Sequence, residues 1–71
     1  METITIKDEF IKLGQALKLA GLCESGVDAK FAVQEGHVLV NGVTETRRGK
    51  KLHPGDTFTY EGKTVTVLEK K

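Results

Sequence analysis

The chain has 71 residues, 38% of them hydrophobic and 30% charged, with eleven Lys and Arg against ten Asp and Glu for a formal net charge of +1 at pH 7. Such a length supports one small hydrophobic core with room for one site, so a single domain over residues 1–71 is expected. The near-balanced charge excludes a polycation held to its partner by bulk attraction, and no apolar run approaches the roughly 18 residues of a membrane span.

In chain order, Thr3 to Ile6 alternates polar and β-branched residues with Ile4 and Ile6 on one side, which suits a short edge strand burying one face. Asp8 can cap a helix running through EFIKLGQALKLAG, where Phe10, Leu13, Leu17 and Ala20 recur at helical spacing, Ala16 lies between them, and Gly21 closes the C-terminal end. Lys12, Gln15 and Lys18 fall outside that stripe on a polar face.

SGVD announces a second helix, because Ser25 can accept from a first-turn amide while Asp28 reaches back to the cap amide. It should run to Gln34 or Glu35 with Gly36 as its C-cap, and the short connection makes the pair a helical hairpin. Ala29, Ala32 and Val33 form one stripe. Val27, Lys30, Phe31 and Gln34 gather on another, where Phe31 is either a core residue or a partly exposed ring able to stack on a base.

From His37 the helical period gives way to alternation. HVLVNG puts Val38 and Val40 on one face, Asn41-Gly42 signals a hairpin, and VTET is the returning arm. HPGD reads as a turn, and TFTYE and TVTVLE pair around Glu61-Gly62-Lys63. These elements predict an α+β fold, a helical hairpin packed on a small, mostly antiparallel sheet.

The start Met1-Glu2-Thr3 lacks the features of a secretory signal, so a cytoplasmic protein is expected. Cys23 is the one cysteine and lacks finger-like spacing to His37 and His53, which points to a reduced thiol, with no disulfide, no metal and no cofactor. No phosphate-loop ending in Gly-Lys-Ser/Thr, paired carboxylates or local cysteine signature is present, so the chain reads as non-catalytic. The concentrated feature is TRRGKK. Between Glu45 and Asp56 stand the four cations Arg47, Arg48, Lys50 and Lys51 and no anion, with His53 a further cation when protonated.

The stretch KLGQALKLAGLCESGVDAKFAVQEGHVLVNG resembles the RNA-binding module named after ribosomal protein S4, also called the alpha-L RNA-binding fold. Lys12-Leu13 stand at the basic-Leu positions of its first helix, Ala20-Gly21 at the turn, Ser25 at the cap and Ala29-Lys30 in the second helix. Gly36, Val38, Val40, Asn41-Gly42 and Pro54-Gly55-Asp56 complete the pattern, which covers roughly residues 10 to 58. Two positions depart from it: Gly14 stands where an Asp is usual, and Gly26 where an Arg often follows the capping Ser. ESG, ETRRGKKL and the short final hairpin are most similar to the small stand-alone bacterial members.

The resemblance implies that the first helix and the basic loop lie side by side and bind structured RNA, ribosomal RNA or ribosomal particles in assembly or function. The RNA-binding residues expected on that basis are Lys12, Lys18, Lys30, Gln34, His37, Arg47, Arg48, Lys50 and Lys51. His37 reads first as a surface residue at a strand start and otherwise as a base or phosphate contact, Asn41 as a turn residue before a ligand, and Ser25 as a cap. The alternative is an adaptor of the same fold whose basic loop meets an acidic protein, since such a surface attracts the same cations. A monomer is expected, as no surplus apolar face is evident.

Overall fold

The structure, a computed structural model, describes residues 2–70. Its elements are β1 (Glu2–Ile6), β2 (Ile11–Lys12), α1 (Leu13–Leu19), α2 (Gly26–Gln34), β3 (Val38–Val40), β4 (Val43–Thr44), β5 (Lys51–Leu52), β6 (Thr57–Tyr60) and β7 (Lys63–Glu69). Five strands form one sheet in the order β1-β7-β6-β3-β4. Only β1 runs parallel to its neighbour, pairing Ile4 with Val67 at the sheet edge. The remaining pairs in that sheet are antiparallel, so the fold is the mostly antiparallel α+β arrangement read from the sequence.

Alternation decides what the sheet buries. Ile4, Ile6, Val38, Val40, Phe58, Val65 and Val67 point into the core, where they meet Leu13, Ala16 and Leu17 of α1 and Ala29, Ala32 and Val33 of α2. Both helices end where a glycine takes the left-handed conformation that closes the last turn. The Gly21 amide donates to the Lys18 carbonyl and the Leu22 amide to Leu17, while Gly36 and His37 repeat this onto Val33 and Ala32, all at 3.0 Å. This is the Schellman arrangement, and it satisfies carbonyls that a helix end otherwise leaves without partners. At the start of α2, Ser25 Oγ accepts from the Asp28 amide at 3.1 Å, the forward half of the expected capping box. Among the described residues no helix is long and apolar enough to cross a membrane.

The first helix is shorter than its periodicity predicts. It begins at Leu13, because Ile11 and Lys12 are extended and pair with Leu52 and Lys51 as a separate two-stranded sheet, β2 with β5. Asp8 therefore caps no helix. Phe10, three residues before Leu13, matched the apolar stripe by spacing alone. Long-range strand pairing overrides that local signal, as a few residues of propensity are easily outweighed by tertiary contacts.

Asn41 and Asp56 tie the first hairpin to the HPGD turn. Asn41 Oδ1 accepts from the Thr57 amide at 2.9 Å, and its Nδ2 donates to Asp56 Oδ1 at 3.2 Å. Asp56 Oδ2 in turn accepts from the His53 amide at 2.7 Å. That backbone donor, then the Asn41 amide and the nearby His53 ring, hold the Asp56 carboxyl below the usual aspartate range against an opposing effect of burial. A folded-state value below the unfolded one means stabilisation fully present above the unfolded pKa of about 3.9 and lost as pH falls through the folded value. Asp56→Ala should therefore lower unfolding free energy by about 1–3 kcal/mol at pH 7. In urea titrations at a series of pH values, the gap between variant and wild type should shrink as pH drops below about 4.

Candidate functional site

The basic loop is brought to α1 by its backbone. Lys12, the residue before the helix, is extended and makes no side-chain cap, so the first-turn amides of α1 need acceptors from elsewhere. The loop supplies them: the Leu13 amide donates to the Lys50 carbonyl at 2.8 Å and the Gly14 amide to the Arg48 carbonyl at 3.1 Å. The β2–β5 pairing continues this seam, and Leu52, fully buried, anchors the loop's far end in the core. A turn closed by the Lys50 amide on the Arg47 carbonyl, at 3.1 Å, bends the chain between the two contacts.

Two cationic hollows result. The first is a groove whose rim carries Lys12, Gln15 and Lys18 from the α1 side and Arg48 from the loop, with Gly14, Gly26, Ala29 and Gly49 along it. The second, reached across Gly49, is lined by Arg47, Lys50, Lys51 and His53. Among the described residues no carboxylate lines either one. Register also sets Lys12 directly opposite Lys51 across the β2–β5 pair, an arrangement in which like charges oppose folding.

The two arginines are held differently. Arg47 forks onto Glu45, with Nε to Oε2 at 3.1 Å and Nη2 to Oε1 at 3.4 Å, while its own amide donates to Oε2 at 3.1 Å. The Arg47 side chain, followed by the smaller effect of its amide, holds the Glu45 carboxyl below the usual range although burial works the other way. Arg48 instead lies across the first turn of α1. A Cβ on Gly14 would stand 2.6 Å from Arg48 Cγ, so only glycine leaves room for the side chain in this position.

Of the residues named from sequence, Lys12, Lys18 and Arg48 meet in the groove, and Arg47, Lys50 and Lys51 in the adjoining hollow. Lys30 and Gln34 are exposed one turn apart on α2 and line neither hollow. His37 lies elsewhere, in a depression with Glu24, Asp28, Phe31, Glu35 and Tyr60. That side of the molecule is negative. Burial first, then Asp28 and Glu61, push the Cys23 thiol up, and burial followed by Glu61 does the same to Tyr60. Phe31 is 57% exposed, which decides between the two readings of that ring against the core.

Sequence reasoning passed over Gly14, Gly26 and Gly49 as parts of the groove, Glu45 as the partner of Arg47, and Phe10 as a neighbour of the loop. The departures at Gly14 and Gly26 carried the available signal, since both positions lack the side chain that would fill the groove.

This fold and its loop-capped helix define an RNA-binding-module architecture, and the chain belongs to the S4 domain family, whose family model matches residues 4–68. A Bacillus subtilis (strain 168) relative named probable ribosome maturation protein RlbA is 49% identical over 59 residues, covering 83% of each chain. Escherichia coli (strain K12) YbcJ is 42% identical over 62 residues, covering 87% of this chain and 89% of that protein. The solution structure of Escherichia coli YbcJ superimposes with a TM-score of 0.74 at 40% identity, over 96% of this chain and 87% of that one, and is described as revealing an alfaL motif involved in RNA binding.

Gly14→Ala separates the position of Arg48 from the stability of the fold. Alanine favours a helix over glycine by about 1 kcal/mol, and this gain offsets the cost of turning the exposed Arg48 side chain to another rotamer, which a contact at Cγ requires. Thermal unfolding should therefore remain within about 1 kcal/mol of wild type while the Arg48 Nε–H resonance moves in NMR spectra. A loss beyond about 2 kcal/mol would mean that the Gly14-to-Arg48 backbone bond had broken as well.

Proposed function

We propose that the protein is a non-catalytic RNA-binding protein that holds structured RNA, ribosomal RNA or a ribosomal particle, against the α1 face and the Arg47–Lys51 loop. One observation carries this reading: Lys12, Lys18 and Arg48 in one groove adjoin Arg47, Lys50 and Lys51 in the next, with no carboxylate among the described residues lining either. Phosphates spaced along an RNA backbone match cations fixed on a rigid scaffold. The motif described for YbcJ and the ribosome-maturation name of RlbA support the same assignment.

Each cation has a distinct part. Arg48 lies between the α1 face and the loop, where its planar fork can take two oxygens of one phosphate. Arg47 engages phosphate in exchange for Glu45, so its contribution is reduced by the carboxylate it leaves. Lys12, Lys18, Lys50 and Lys51 serve as point charges, and repulsion between Lys12 and Lys51 is relieved when phosphate lies near both. Lys30 and Gln34 extend the surface along α2, whereas His37, on the negative side, is left outside it.

Neutralising about five phosphates gives a slope of log affinity against log salt near −4, which weakens binding by roughly a hundredfold or more between 50 and 200 mM salt. The test is a titration with structured ribosomal RNA fragments at several salt concentrations. Replacing Arg47, Arg48, Lys50 and Lys51 together by Ala should make the slope shallower by about 3, since each lost phosphate contact removes roughly 0.7–0.9. A folded wild type that binds no RNA at 50 mM salt, yet keeps an RNase-resistant contact with a protein, would replace this reading with the adaptor.

A further inference from the structure

Phe10 has no place in the core. It belongs neither to the buried apolar cluster nor to the partly buried side chains packed against it. It lines a depression with Ile6, Asp8, Gln15 and Leu19, and its ring also meets the basic loop and the following turn. Lys51 Nζ lies 4.8 Å from the ring centroid, and the His53 ring is 6.2 Å away, tilted by 54°. These are distances at which a cation and a second ring are attracted to an aromatic face. The His53 backbone is fixed by Asp56, whose carboxylate accepts its amide at 2.7 Å, while the His53 side chain is 60% exposed. An aromatic pair is therefore held beside the second cationic hollow, the His53 ring in its lining and open to solvent, the Phe10 ring next to it and partly buried.

Phosphate binding gives no reason for such a pair. A phosphate needs cations and amides, whereas a partly buried phenyl ring beside an exposed imidazole offers apolar ring surface. The ligand that demands both within the span of one unit is a nucleotide, its phosphate on Lys50 or Lys51 and its base on the rings. In a duplex the base faces are already stacked, so the base that reaches a side chain comes from a bulge, loop or end.

We propose that Phe10 and His53 form a stacking platform for one unpaired base of the bound RNA. In the free protein the Lys51 ammonium rests over Phe10; on binding it moves to the phosphate of the same nucleotide and uncovers the ring. The platform makes the protein select a helical stem interrupted by an unstacked base over a continuous stem. This proposal rests on the RNA-binding reading and adds to it a preference that the cations alone do not generate.

The experiment compares an RNA hairpin whose stem carries one bulged adenine with the same stem lacking the bulge, at the same series of salt concentrations from about 50 mM upward, using the full chain. Wild type should bind the bulged stem more tightly, by on the order of tenfold. Phe10→Leu should reduce that preference to within about twofold while affinity for the continuous stem and its salt slope stay unchanged, and His53→Ala, which also trims the lining of the hollow, should reduce the preference to the same extent whatever its effect on the continuous stem. Phe10→Tyr should keep the preference, and circular dichroism verifies that each variant is folded. With 2-aminopurine as the bulged base, wild type should quench its fluorescence and Phe10→Leu should quench it much less. Equal binding of both stems by wild type, a preference that survives in Phe10→Leu, or equal loss on both stems in that variant would overturn the platform and leave RNA binding standing. Binding of neither stem at 50 mM salt would overturn the RNA-binding reading and the platform with it.

Discussion

Two backbone hydrogen bonds organise the functional face: the Leu13 amide to the Lys50 carbonyl and the Gly14 amide to the Arg48 carbonyl. A helix starting without a side-chain cap leaves amides that water or some other acceptor must satisfy. Here the acceptors belong to the most basic segment of the chain, so capping the helix and assembling the cationic surface are one event. The carbonyls engaged in this way belong to Arg48 and Lys50, and Arg47, Gly49 and Lys51 alternate with them. Side chains from the loop thus flank a seam whose position the helix dictates.

The far side of the loop is held by an independent device. Asn41, in the left-handed conformation at φ 51° within the first hairpin turn, bonds to Asp56 and Thr57 and joins that hairpin to the HPGD turn. The Val-Asn-Gly and Pro-Gly-Asp elements of the family pattern therefore act as one hydrogen-bonded unit. Leu52, buried between that unit and β2, completes the anchorage. A loop restrained at both ends loses little conformational entropy on meeting a ligand, which is the advantage of mounting mobile lysines on it. The charge distribution follows the same division. Cations collect along the α1 seam, and Glu24, Asp28 and Glu35 border the depression that holds His37, so a chain with a net charge of +1 presents two electrostatically opposite sides.

Much of the scaffold is legible in the amino-acid order because its signals are local. Ser25, Gly21 and Gly36 mark helix ends, Asn41-Gly42 marks a hairpin, and the alternation of Val38 with Val40 and of Val65 with Val67 gives the buried sheet face. The parts that escaped are non-local or too short to show a period. β2 and β5 have two residues each, and nothing around Ile11 announces a partner near position 52. The same pairing delayed the start of the helix to Leu13 and released Phe10 from the stripe to which spacing had assigned it. For the site, sequence counts the cations but cannot tell which converge. Arg48 joins Lys12 and Lys18 because of a backbone bond and a missing Cβ at Gly14, and Glu45 engages Arg47 through geometry two residues long that composition does not reveal.

The central claim is that the basic loop is docked on α1 in the free protein. Native-state hydrogen exchange read by NMR at the Leu13 and Gly14 amides tests it most directly, because first-turn amides of an uncapped helix exchange readily. The account predicts protection at both amides comparable to that of Leu17, deeper in the same helix, with RNA absent. Rapid exchange at Leu13 and Gly14 while Leu17 stays protected would show that the loop is undocked before binding, and would contradict a preassembled cationic surface.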